Sequence, residues 1–181
     1  MKTNVTYGFF IALGGMVLTL ALYFLGFHSE ASKLPAAQWI GFFGFLAIAI
    51  SLIVAGQKAR RSETPAEEGF SYGRGMGAGA GIAFFSALFG IATTLLYFGV
   101  INPNLVELMV QAQLDKLEAK GLSGAQIDQA EKFIRFSMKP AVMAVSNFIF
   151  IMLIGTIISL ISSAFLKRPA PEVTEETPPS V

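Results

Sequence analysis

Long apolar runs alternate with short charged stretches along this chain, and the runs are too long and too continuous for strands or for ordinary surface helices. Four segments, residues 4–27, 38–57, 75–101 and 140–166, each meet the requirement for crossing a bilayer. That requirement is about 20 mainly apolar residues, because a helix rises about 1.5 Å per residue and the hydrocarbon layer is about 30 Å thick. None of the four carries Lys, Arg, Asp or Glu in its apolar body, and the polar residues inside them are mild: Thr19, Ser51, Ser86, Thr93, Thr94, Ser146, Asn147, Thr156 and Ser159. A helix satisfies its own backbone donors and acceptors in lipid, so the pattern predicts an all-α bundle of four transmembrane helices. Tyr7, Trp39 and Tyr97 fall near predicted helix ends, where amphipathic rings anchor at the membrane interface. The first run follows Lys2 and precedes a small-residue site at Ser29 and Ala31. Its apolar core exceeds the roughly 7–15 residues of a signal peptide, so it reads as a retained span.

Residues 102–139, between the third and fourth spans, change period rather than losing it. Asn102-Pro103 reads as an N-cap followed by a first-turn proline. Val106, Met109, Val110, Leu114 and Leu117 then form an apolar stripe, with Glu107, Gln111, Asp115 and Glu118 on the other face. Gly121 suits the left-handed residue that stops a helix. Ser123 and Gln126 make a capping box for a second amphipathic helix carrying Ile127, Ala130, Phe133, Ile134 and Met138. Pro140 interrupts the passage into the last span. The segment predicts an amphipathic helical hairpin, with its stripes buried against each other or laid on the lipid surface.

The succession Asn102-Pro103, amphipathic helix, Gly121-Leu122-Ser123, second amphipathic helix with Gln126 and Ile127, proline, and an Ile/Ser-rich last span resembles a family of four-helix bacterial inner-membrane proteins. That family is common in Bacteroidetes and is defined only as a domain of unknown function. The likeness runs to about Arg168. It implies an inner-membrane protein and no assigned activity.

Composition agrees with a bilayer as solvent: 54% hydrophobic residues, 14% charged and a mean hydropathy of +0.62. A net charge of +1 provides no basic field for nucleic acid, which is excluded as a partner. With no cysteine there is no disulfide, thiolate metal site or cysteine nucleophile. Charge also sets an expected orientation. Lys58, Arg60, Arg61 and Arg74 lie between spans two and three, and Lys167 and Arg168 follow span four, so the positive-inside rule puts these ends and both termini in the cytoplasm. The raw count is seven basic residues against six, and the short loops carry the bias, four against one. The hairpin is then extracytoplasmic, and residues 169–181, rich in Pro, Glu and Thr, read as a disordered cytoplasmic tail.

Candidate chemistry is sparse. Gly73, Gly75 and Ala78 mimic a dinucleotide fingerprint, but they enter a span rather than follow a strand. Gly73, Gly77 and Gly81, four apart, read instead as a helix-packing face. Its expected partner is the first helix, through Gly8 and Gly15, or a second copy of the chain. Asn147 reads as hydrogen-bond glue between helices, and His28 as a solvated helix end. Lys58, Arg60 and Arg61 fit anionic lipid headgroups as well as the topology signal. No nucleophile with a base, metal set or paired carboxylates stands out, so neither enzyme activity nor a cofactor is expected. The remaining expectation is a structural or interaction component that presents residues 102–139 to an envelope partner. The alternative is a small oligomeric channel or uncoupled transporter lined by Thr93, Thr94, Ser159 and Ser162.

Overall fold

A computed structural model describes residues 1–171; most of the expected tail lies outside the described residues. Six helices account for nearly all of the described chain: α1 (Lys2–Phe24), α2 (Leu34–Glu63), α3 (Tyr72–Leu96), α4 (Asn104–Ala119), α5 (Gly124–Ser137) and α6 (Pro140–Leu166). Four helical segments, those built on α1, α2, α3 and α6, are long and apolar enough to cross a membrane. The second runs well past its apolar body, because Gln57 to Glu63 are good helix formers with no breaker among them. The first stops at Phe24, short of residue 27. Gly26 takes a left-handed φ of +77°, and Phe27 N–H bonds back to Leu22 O, which satisfies the terminal carbonyls.

Small residues determine how the spans pack. α3 and α6 make the most extensive contact in the molecule. A Cβ on Gly75 would lie 2.9 Å from Ser163 Oγ, one on Gly79 would overlap Ser159, and one on Gly155 of α6 would overlap Ala83 of α3. α1 meets α3 just as closely at Gly8, where a Cβ would lie 2.7 Å from Phe85 Cβ and 2.8 Å from Ser86 N. Mid-bundle, Ile11, Ala49, Ile53, Ile82 and Ile158 close the axis with apolar side chains.

The expected packing face needs correction. Among the described residues, Gly77 has nothing within 4 Å of its Cβ position and Gly73 meets only Ser71 Oγ at 4.0 Å, whereas Gly81 does meet the expected partner helix, lying against Asn4 of α1. The buried glycines are Gly75 and Gly79, on the neighbouring face. Spacing of four identifies a face only relative to other faces of the same helix, and this glycine run contains two such faces. Of the expected α1 partners, Gly8 does reach α3, opposite residues 82–86, whereas Gly15 faces Phe45 of α2.

Between α3 and α6 the chain forms the hairpin. Gly121 has φ +76°, and Ser123 and Gln126 form the capping box, with Ser123 N–H donating to Gln126 Oε1 at 3.0 Å. Val110, Leu114 and Ile134 pack with Leu117, Ile127, Ala130 and Met138, so most of the two stripes is buried between the helices, whereas Phe133, expected on the second stripe, turns outward and is exposed. Arg135 near the end of α5 bonds Glu107 near the start of α4 at 2.7 and 3.1 Å, which makes the pair antiparallel. Arg135 holds the Glu107 carboxyl down at about 2, with help from Gln111. At the opposite end of the bundle Phe70 and Arg168 exchange backbone hydrogen bonds at 2.7 and 2.8 Å, pinning the end of α6 to the α2–α3 loop.

Gly79→Ala forces a methyl into Ser159 and Gln57, and it should lower stability in detergent by about 1–3 kcal/mol, the usual cost of overpacking. Gly77→Ala meets open space and should leave stability unchanged or slightly raised, since alanine is the better helix former. Thermal melts of both variants check the pair, and equal losses would refute this assignment of faces.

Candidate functional site

Two polar arrangements divide the bundle. The first is a knot at the end away from the hairpin. Gln57 is fully buried, donating from Nε2 to Gly75 O at 2.9 Å and to Ser163 Oγ at 3.1 Å, and accepting from Ser162 Oγ at 2.6 Å. Ser163 in turn donates to Ser159 O at 2.6 Å, and Ser159 to Gly155 O. The amide thus ties α2 to both α3 and α6 with its groups satisfied, so it stabilises the contact. Gln57 closes the second predicted span, and by position alone it reads as an interfacial residue rather than a buried one. One clue was available: Ser159, Ser162 and Ser163 share one side of α6, so the last span has a polar face in need of a partner.

The second arrangement is a cavity of about 480 Å³ at the hairpin end. Its walls come from all four spans, and small residues leave the space open: Ala12 and Gly15 on α1, Ala37 and Gly41 on α2, Gly90 on α3. Phe45, Phe150 and Ile151 supply the larger apolar surfaces. The amphipathic α4 contributes Leu105 and Met109, and the α1–α2 connection contributes His28. Phe42 and Phe150, with ring centroids 6.2 Å apart, bring α2 and α6 together beside the cavity.

A few polar groups converge on this apolar space. Asn147 Nδ2 donates to Thr94 Oγ1 at 3.2 Å across α6 and α3, and both side chains line the cavity. Thr19 and Thr93 hydroxyls donate to carbonyls of their own helices at 2.9 and 3.1 Å, leaving oxygen lone pairs as acceptors. Tyr97 anchors the roof. A wide helical turn over Tyr97–Ile101 carries α3 to Asn102, whose N–H bonds Tyr97 O at 2.8 Å. Asn102 Nδ2 donates to the Tyr97 hydroxyl at 3.4 Å, and His28 Nδ1 lies 2.5 Å from the same oxygen. With the imidazole neutral and protonated on Nε2, Tyr97 O–H donates to Nδ1.

Three sequence expectations change here. Tyr97 is 2% exposed, so it is a buried hub rather than a ring at the lipid interface. Its hydroxyl can be buried because His28 and Asn102 satisfy it. His28 is half-buried instead of solvated, and desolvation lowers its pKa. The Asn102 side chain turns inward to Tyr97 and does not cap α4. Asn147 sits where glue was expected, and it also faces the cavity. Lys58, Arg60 and Arg61 all lie near the end of α2, in the half of the bundle away from the hairpin, where Arg60 pairs with Glu63 at 2.8 Å. The hydroxyls proposed to line one pore are split: Thr93 and Thr94 face the cavity, whereas Ser159 and Ser162 are buried at the knot, beyond the apolar plug.

The chain belongs to the family described as protein of unknown function (DUF4199), whose model matches residues 6–168. No curated protein and no solved structure matches it.

Burial favours neutral His28, so its contact with Tyr97 contributes fully above the ordinary histidine value near 6.5. That contribution falls as pH drops through the lowered native value. Stability in detergent should therefore decline on acidification from pH 7 to pH 5, and His28→Gln should flatten that decline; parallel slopes in the two proteins would contradict the assignment.

Proposed function

We propose that this member of the family is a bacterial inner-membrane protein that acts by binding, not by catalysis. Its hairpin-end cavity takes a small, predominantly apolar ligand from the bilayer, and the hairpin, on the extracytoplasmic side, roofs that ligand. The observation that carries this reading is the cavity itself. Its 480 Å³ falls within the range of about 300–1,000 Å³ typical of small-molecule sites, and its make-up is theirs too: apolar walls with a few fixed polar groups. Asn147, Thr94 and Thr93 provide donors and acceptors on one side, and His28 and Tyr97 provide them under the roof. Among the described residues the lining holds no carboxylate to pair with His28 as an acid–base couple, which favours recognition over turnover.

A pore within one chain is the weaker reading. The apolar plug of Ile11, Ala49, Ile53, Ile82 and Ile158 separates the cavity from the knot, and a dry, side-chain-filled constriction of this kind holds a path shut. An interaction role for the hairpin keeps specific support. Most of its stripes is used internally, but Phe133 of the expected α5 stripe and Phe136 beside it are 72% and 54% exposed, a surface suited to an envelope partner.

Gly41 lines the cavity, and its Cβ position meets only Leu22 Cδ1 at 3.7 Å, so Gly41→Leu fills the space at little cost to the fold. Solvent extraction of detergent-purified protein followed by mass spectrometry should recover an apolar molecule in near-stoichiometric amount from the wild type. The variant should yield at least about tenfold less, the effect of losing about 1.4 kcal/mol, with its melting point retained. Equal recovery from both proteins would overturn the reading.

A further inference from the structure

A second cavity, of about 370 Å³, lies at the end of the bundle opposite the hairpin. Its lining includes Asn4, Arg60, Glu63, Glu68, Arg74 and Gly77. Two guanidiniums and two carboxylates sum to zero charge, but they are arranged as neighbouring dipoles: Arg60 Nη1 to Glu63 Oε2 at 2.8 Å, and Arg74 Nη1 to Glu68 Oε2 at 2.8 Å. These side chains are 38–54% exposed, so the pairs are solvent-screened and cheap to share with a ligand. Arg74 Nη1 also holds Gly69 O at 3.2 Å, and Thr3 Oγ1 donates to Glu63. In both arginines these contacts use Nη1. The guanidinium carries further N–H donors on Nε and Nη2 in the same plane, enough to take a phosphate without breaking either pair.

Gly77 shows where the cavity lies. It is five residues into α3, roughly 7–8 Å along the helix axis, where the apolar body begins. Among the described residues no neighbouring atom lies within 4 Å of its Cβ position, so its missing side chain leaves room for the cavity rather than for another helix. A site at this depth, charged at its rim and neutral in sum, sits where phospholipid headgroups sit. A lone anion would meet two carboxylates there, and a lone cation two guanidiniums. A zwitterion matches both.

We propose that this cavity holds the headgroup of a phospholipid bearing a primary ammonium, with its phosphate on Arg60 and Arg74 and its ammonium donating to Glu63 and Glu68. A choline headgroup has the same charges but no N–H to give those carboxylates, and a glycerol headgroup has no cation. This site is separate from the hairpin-end cavity and takes a polar group rather than an apolar ligand. A free zwitterion such as phosphoethanolamine shares the recognition chemistry, and the experiment separates it from the lipid.

The test is native mass spectrometry of the full chain, released from nanodiscs containing equal parts phosphatidylethanolamine, phosphatidylcholine and phosphatidylglycerol. The wild type should retain phosphatidylethanolamine about tenfold over either of the others. Millimolar free phosphoethanolamine should not displace it, because the acyl chains contribute most of the affinity. Gly77→Phe should lose the retained lipid by filling the cavity. The double variant Glu63→Gln with Glu68→Gln, which leaves the cavity open, should bind ethanolamine and choline lipids alike. Equal retention of the three lipids by the wild type, undiminished retention by Gly77→Phe, a preference that survives in the double variant, or displacement by free phosphoethanolamine would each overturn the assignment.

Discussion

The architecture depends on how closely α3 and α6 approach in the half of the bundle away from the hairpin. Between helices in lipid there is no hydrophobic gain from association, so contact is held by dispersion and by hydrogen bonds that lipid cannot supply. This protein uses both at one place. Gly75 and Gly79 let the backbones close up, and Gln57 from α2 fills the seam with bonds to Gly75 O, Ser162 and Ser163. A buried amide in that position would be costly if any of its groups were unpaired, and here each has a partner. Three of the four spans are thereby fixed in register, and Gly8 adds α1 to α3.

The hairpin half is built differently. Gly15, Gly41, Gly90, Ala12 and Ala37 line the cavity there, and the glycines among them meet side chains such as Phe45, Leu22 and Ile151 rather than a neighbouring backbone, which leaves space between the helices. The same residue types thus produce tight packing at one end and space at the other, according to whether the facing helix is near. Helix α4 covers the open end with Leu105 and Met109, and the Tyr97–His28–Asn102 cluster ties the roof to the top of α3 and to the α1–α2 connection. The asymmetry is what the proposed ligand site rests on: one end closed by backbone contact and a satisfied polar knot, the other left open under a helical roof.

Much of this was legible from residues alone. The four spans, the capping box at Ser123, the left-handed Gly121 and the break before Pro140 follow from local chemistry that tertiary context reinforces. Other features depend on rotation of a helix about its axis, which a near-uniformly apolar span does not encode. That is why spacing alone points to Gly73 and Gly77 where the contact falls on Gly75 and Gly79, and to the lipid interface for Tyr97 where the ring lies in the core. The burial of Gln57 and His28 depends on partners distant in the chain: 18, 105 and 106 residues away for Gln57 and 69 for His28.

A binding cavity differs from a water-filled path in what can enter it, and the cysteine-free chain provides a clean background for testing this. Thr94→Cys places one thiol on the cavity wall. The most direct measurement is its labelling in membranes by a small apolar maleimide and by a charged thiosulfonate. The account predicts reaction with the maleimide and protection from the thiosulfonate. Rapid reaction with both would reveal an aqueous path, and reaction with neither a closed core; either result would contradict a cavity open to apolar ligands.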